Sequence, residues 1–184
     1  MKEQIFTLIY PWDVNGHKPA VEYHLTADEE GFHMHIIVKG PKLRRELTEH
    51  QSDVCLDCCV EWFVNFLPER CDRYFIFEVN PNGAMHVAFR KDRYDYRMLK
   101  TEEIEMLFIK ACVHRDTWEV SYKVPFALIE KYIPGYRFEE GMTIKANFYK
   151  CGDKMILPHY GMWKEVMAED QDFHRPEFFG EILC

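Results

Sequence analysis

The chain has 184 residues, 47% hydrophobic and 29% charged, which is ordinary for a soluble globular protein and enough for one domain with a full core. A net charge of −8 argues against a nucleic-acid backbone or an anionic membrane as partner, and no stretch approaches the roughly 20 apolar residues of a membrane span. Seven cysteines, an odd number, and a start without a signal-like apolar run fit free thiols and a cytoplasmic location.

The elements follow from period-two alternation. Ile5 to Tyr10 reads as a first strand ended by Pro11. Val21 to Leu25 and Gly31 to Val38 alternate on either side of the polar turn Ala27 to Gly31, which makes a hairpin. Gly40 to Gln51 is charged and weakly patterned, and reads as a loop. The central group follows. Val60, Trp62, Val64 and Phe66 share one face of a strand, and Phe75, Phe77 and Val79 share one face of the next. Large apolar groups also occupy the opposite faces, which places these two strands at the centre of a two-layer β structure. Pro81-Asn82-Gly83 then turns the chain into Met85 to Phe89.

Arg90 to Glu103 lacks a period and reads as a long connection. Glu105 to His114 and Trp118 to Val124 pair as a hairpin with one wet face. Pro125 opens the one convincing helix, with Phe126, Ile129 and Ile133 at helical spacing and Pro134-Gly135 as its stop. Thr143 to Lys150 is a strand, Cys151 to Asp172 a loop, and Phe178 to Leu183 a closing strand. Many short strands and no βαβ rhythm predict an all-β antiparallel sandwich with one short helix and long loops, formed as a single domain over 1–184.

Candidate chemistry is sparse. Cys55-x-x-Cys58-Cys59 has no second cysteine pair at similar spacing, so it reads as small apolar fillers rather than a zinc site. His33-x-His35, His159 and His174 are scattered and lack a further ligand motif. No metal and no cofactor are expected. Glu61 and Glu78 could be imagined as a glycosidase pair, but acidic residues on exposed strand faces are usually solvated. No phosphate-binding or nucleophile-elbow motif is present. Aromatics, at 15%, exceed the ordinary share, and exposed rings beside carboxylates and amides are what a sugar site needs.

Five segments in order carry a resemblance: Asp57-Cys58-Cys59-Val60-Glu61-Trp62-Phe63, Tyr74 to Gly83, Trp118 to Phe126, Ala146 to Lys150, and Phe173-His174-Arg175-Pro176-Glu177-Phe178-Phe179-Gly180. Together they are similar to the family 9 carbohydrate-binding modules, most closely to a family 9-like bacterial branch. The resemblance implies a non-catalytic β-sandwich that binds a mono- or oligosaccharide, linked to glycan catabolism as a glycoside hydrolase accessory. In sugar-binding members two rings hold the ligand beside carboxylates and amides. The resemblance maps Phe173 to a clamp ring, Glu61 to the carboxylate and Asn147 to the strand amide. Glu78 stands where some binders have a basic residue. Arg175 lies in the terminal motif, and Trp163 is the candidate for the second ring, because Val54-Cys55-Leu56 holds no aromatic. The site is expected where the terminal loop meets the outward face of the central strands. The alternatives are a sandwich that has lost its sugar and binds a protein partner, and a small glycan-processing hydrolase.

Overall fold

A computed structural model describes residues 1–40, 43–169 and 171–184. The expected loops Gly40–Gln51 and Cys151–Asp172 include residues 41, 42 and 170, which lie outside the described residues. Among the described residues, twelve strands form two antiparallel sheets.

The first sheet contains β1 (Gln4–Thr7), β2 (Ala20–Ala27), β3 (Gly31–Lys39), β8 (Lys110–Val113) and β9 (Thr117–Pro125), in the order β1-β2-β3-β9-β8. β2, β3 and β9 alternate buried and exposed positions, as a sheet does when only one face meets the core. The solvent face carries His33 against Asp28 at 2.7 Å and His35 against Glu119 at 2.9 Å.

The second sheet contains β4 (Cys59–Asn65), β5 (Tyr74–Val79), β6 (Met85–Arg90), β7 (Tyr96–Met98), β10 (Thr143–Cys151), β11 (Gly161–Met162) and β12 (Gly180–Leu183). Its order is β11-β10-β4-β5-β6-β7, and β12 also pairs with β10. Every residue of β5 and all but Asn65 of β4 are buried. The inward set, Trp62, Phe75, Phe77 and Phe148 among others, joins Tyr23, Phe32, Ile36 and Val120 of the first sheet in the main core. The outward set, Phe63, Tyr74, Ile76 and Tyr149, forms a second apolar cluster with Met162, Val166 and Phe179. The covering segments therefore make a third layer on this sheet.

Helix α2 (Phe126–Tyr132) follows Pro125 as expected, with Leu128 and Ile129 buried. A further single turn, α1 (Thr101–Glu105), and strand β7 interrupt the expected connection after Arg90. The strand expected over Glu105 to His114 shortens to β8 because Phe108 has φ +51°, which breaks extended backbone. The last expected strand begins at Gly180, after a 3₁₀ turn over Pro176–Phe178. All seven cysteines are free thiols. No described helix is long and apolar enough to cross a membrane.

Buried Asp57 ties the sheet to its cover. Its Oδ2 accepts the backbone N–H groups of Glu46 and Leu47, each at 3.0 Å, and Asn80 Nδ2 at 2.9 Å. Asn80 in turn accepts the N–H groups of Asn82 and Ala84, closing the hairpin between β5 and β6. The first motif segment thus begins with a structural staple.

Candidate functional site

A cleft of about 200 Å³ opens where Gln171 to His174 cross the outward face of β4 and β5. Strand register supplies its floor. Glu61 and Glu78 are directly opposite across β4 and β5, while Cys59 and Cys151 are opposite across β4 and β10. Phe173 stands over the floor. Its ring stacks on Tyr149, with centroids 4.1 Å apart and planes 13° from parallel, and on Trp12 at 5.3 Å and 14°. Tyr160 meets it edge-on at 6.3 Å.

The polar groups sit around this aromatic wall. Arg93 forms a two-pronged pair with Asp172, at 3.1 and 3.3 Å. Burial pushes the Asp172 carboxyl up, but the His174 N–H and the Arg93 charge outweigh it and leave it lowered. His174 stacks on Phe63 at 5.1 Å and places Nδ1 3.2 Å from the Tyr74 hydroxyl. Burial, then the charge of Arg90, holds its imidazole down to about 3, so it is neutral. Asp153 lines the same cleft, raised by burial against the hydrogen bond donated by Tyr160.

Glu61 and Glu78 are 3% and 8% exposed, contrary to the solvated strand positions that the sequence suggested. The covering loops bury them. Burial raises both carboxyls, Glu61 to about 7, and the charge of Glu61 adds to the rise at Glu78. Glu61 accepts a hydrogen bond from Cys151 Sγ at 2.8 Å. Glu78 makes no side-chain hydrogen bond or ion pair to a described residue, and its carboxyl oxygens keep access to the cleft. The arrangement suits recognition of hydroxyls.

A family profile described as Carbohydrate-binding family 9 matches residues 3–184. The chain belongs to that family. A candidate carbohydrate-binding protein from Bacteroides uniformis has a similar structure, with a TM-score of 0.85 and 27% identity, over 98% of this chain and 86% of that one. Two structures of a family 9 module from Caldicellulosiruptor kristjanssonii share the fold at 13% identity. The complex with cellotriose has a TM-score of 0.67 over 98% of this chain and 82% of that one. The complex with glucose has 0.65 over 97% and 83%. No curated protein sequence matches the chain.

In this family 9 chain, the structure brings Glu61, Glu78 and Phe173 into one cleft and leaves three other sequence candidates outside its lining. Asn147 is fully buried, and its amide is spent on Lys164, donating to the carbonyl and accepting the N–H, both at 2.9 Å. Trp163 packs on the main core against Phe6 and Phe148, at 4.9 and 5.6 Å, so it is not the second ring. Arg175 pairs with Glu177 at 2.7 Å and lies over Phe178. The ring beside Phe173 is Trp12, from the segment after β1. Pro11-Trp12-Asp13 carries no period, so only the fold reveals it. His174 lies inside the terminal motif, next to Phe173. Arg93 and Asp172 are 79 positions apart and have no local signal.

A larger cleft, about 460 Å³, lies among Leu43 to Glu46 and Lys154 to Leu157. Its described walls are aliphatic and basic apart from Glu46 and His17, and they hold no carboxylate pair.

Proposed function

We propose that this chain binds the end of a glycan in the Trp12–Phe173 cleft and serves glycan breakdown without performing hydrolysis itself. The observation that carries this reading is Glu78. It lines the cleft, and its carboxyl oxygens open into it without a hydrogen bond to a described residue, which leaves them free to meet sugar hydroxyls. Glu61 and Asp153 extend the acceptor floor, and the Arg93 guanidinium offers donors at the rim. Trp12, half-buried, and Tyr160 offer the apolar surface that a pyranose ring packs on. Phe173 acts as the buttress between them, since Tyr149 and Trp12 already stack on it. Family membership supports the reading, as do the glucose and cellotriose bound by the structural relatives.

Calorimetric titration with glucose, cellobiose and a panel of other mono- and disaccharides tests it. At least one sugar should bind, and Glu78→Leu, which removes the carboxyl and its hydrogen bonds to hydroxyls, should weaken it by about tenfold. Absence of binding across the panel, or unchanged affinity in Glu78→Leu, refutes it.

A further inference from the structure

The cleft floor holds more chemistry than a sugar needs. Cys59 Sγ, Cys151 Sγ and a Glu61 carboxylate oxygen all lie within 4.8 Å of one another. Cys151 Sγ is 2.8 Å from Glu61 Oε1. The three residues are 0, 2 and 3% exposed. Two backbone facts bring them together. Cys59 and Cys151 are direct cross-strand neighbours, and Glu61 follows Cys59 by two positions on the same face. Tetrahedral zinc keeps its donors roughly 3.5 Å apart, from metal–ligand bonds of about 2.0 to 2.3 Å. Small side-chain rotations therefore suffice to close this set on an ion.

We propose that Cys59, Cys151 and Glu61 form a site for a thiophilic divalent cation of the zinc class, with a fourth position open to the cleft.

One further observation points to a cation. Glu78, opposite Glu61 across β4 and β5, lines the same cleft, so a second carboxyl stands beside the three donors. Binding releases the two thiol protons to solvent and any proton on Glu61 with them. Paired sulfurs select a borderline-soft ion over calcium or magnesium. Glu61 and Cys151 line the cleft, which gives the ion its entry path and leaves room for Glu78 or a water as fourth donor.

The site does not depend on sugar binding, which is measured on metal-free protein so that either reading can fail alone. The test is titration of the metal-free chain with Co²⁺ under a non-thiol reductant. One equivalent should produce a thiolate-to-cobalt charge-transfer band, removed by Zn²⁺ and not by Ca²⁺. Cys59→Ser and Cys151→Ser should each abolish the band, while Cys71→Ser keeps it. Glu61→Gln should weaken Co²⁺ by about tenfold or more, a readout that holds if the cysteine variants fold poorly. A wild-type chain without the band overturns the proposal, as does a band that survives in Cys59→Ser and Cys151→Ser. So does a band lost in Cys112→Ser, which would place the ion at the exposed Cys112, His114 and Glu119.

Discussion

The rings of Trp12 and Phe173 stack with their centroids 5.3 Å apart and their planes 14° from parallel. One comes from the segment after the first strand and the other from the terminal motif, so a single contact joins the two ends of the sequence at the cleft. Trp12→Ala should remove the outer ring, abolish sugar binding and leave the main core intact. Phe173→Ala removes the buttress and should cost stability as well, about 2 to 3 kcal/mol for a half-buried ring. Urea unfolding and sugar titration of both variants separate the two roles. Equal destabilisation by Trp12→Ala would contradict this division.

Asp57 should behave as a structural residue despite standing in a motif of the family. Its carboxylate accepts three hydrogen bonds at zero exposure, from Glu46, Leu47 and Asn80. Asp57→Ala leaves these donors unpaired and should cost about 3 to 5 kcal/mol. Chemical denaturation checks the value. A loss below about 1 kcal/mol would mean that water replaces the carboxylate without penalty.

Acid should destabilise the protein through two histidines. Burial holds His159 and His174 down to about 3, against an ordinary value near 6.5. The unfolded chain therefore takes up protons that the folded chain refuses. Their stabilising contribution is complete above about pH 6.5 and is lost as the pH falls from there toward 3. The raised carboxyls of Glu61 and Glu78 act in the opposite sense across the same window, so the histidine contribution is read as a difference: His159→Gln should gain melting temperature relative to the unsubstituted chain as the pH falls from about 6.5 toward 4. A difference that stays constant between about pH 7 and 4 contradicts this account.

Gly180 should tolerate no side chain. A Cβ there would lie 2.6 Å from the Trp163 ring and 2.7 Å from Lys164 Cε. Trp163 packs on Phe6 and Phe148, so it has little room to withdraw. Gly180→Ala should cost about 1 to 3 kcal/mol by overpacking. Thermal melting reads it, and an unchanged midpoint would show that the indole moves freely.

Much of the sandwich is legible in the sequence because alternation reports which face of a strand is covered. Val60 to Phe66 and Tyr74 to Val79 carry apolar groups on both faces, and both faces are buried. The helix after Pro125 is marked by its proline and by Pro134-Gly135. The shortened β8 is not legible, because the positive φ at Phe108 belongs to no glycine or asparagine. The site is legible only where its residues lie in strands. Glu61 and Glu78 follow from alternation, yet their burial depends on loops whose path no period records. Asn147 has the right type and strand for a ligand, but its amide is committed to Lys164. Cys59 and Cys151 become neighbours through strand pairing across 92 positions, a distance at which spacing rules for metal ligands have no force.

The double burial of β4 and β5 separates two tasks that share one sheet. One side carries the packing that keeps the chain folded, and the other serves as a mounting plate for a replaceable cover. Apart from Leu8, Met155 and Trp163, which pack with the main core, residues 8–19 and 152–179 can change composition, and with it the partner recognised, while Trp62, Phe75 and Phe77 stay as they are. Such a chain can diversify by exchanging its upholstery and keeping its frame. Grafting those two segments between relatives should therefore transfer preference for a sugar without redesign of the sandwich.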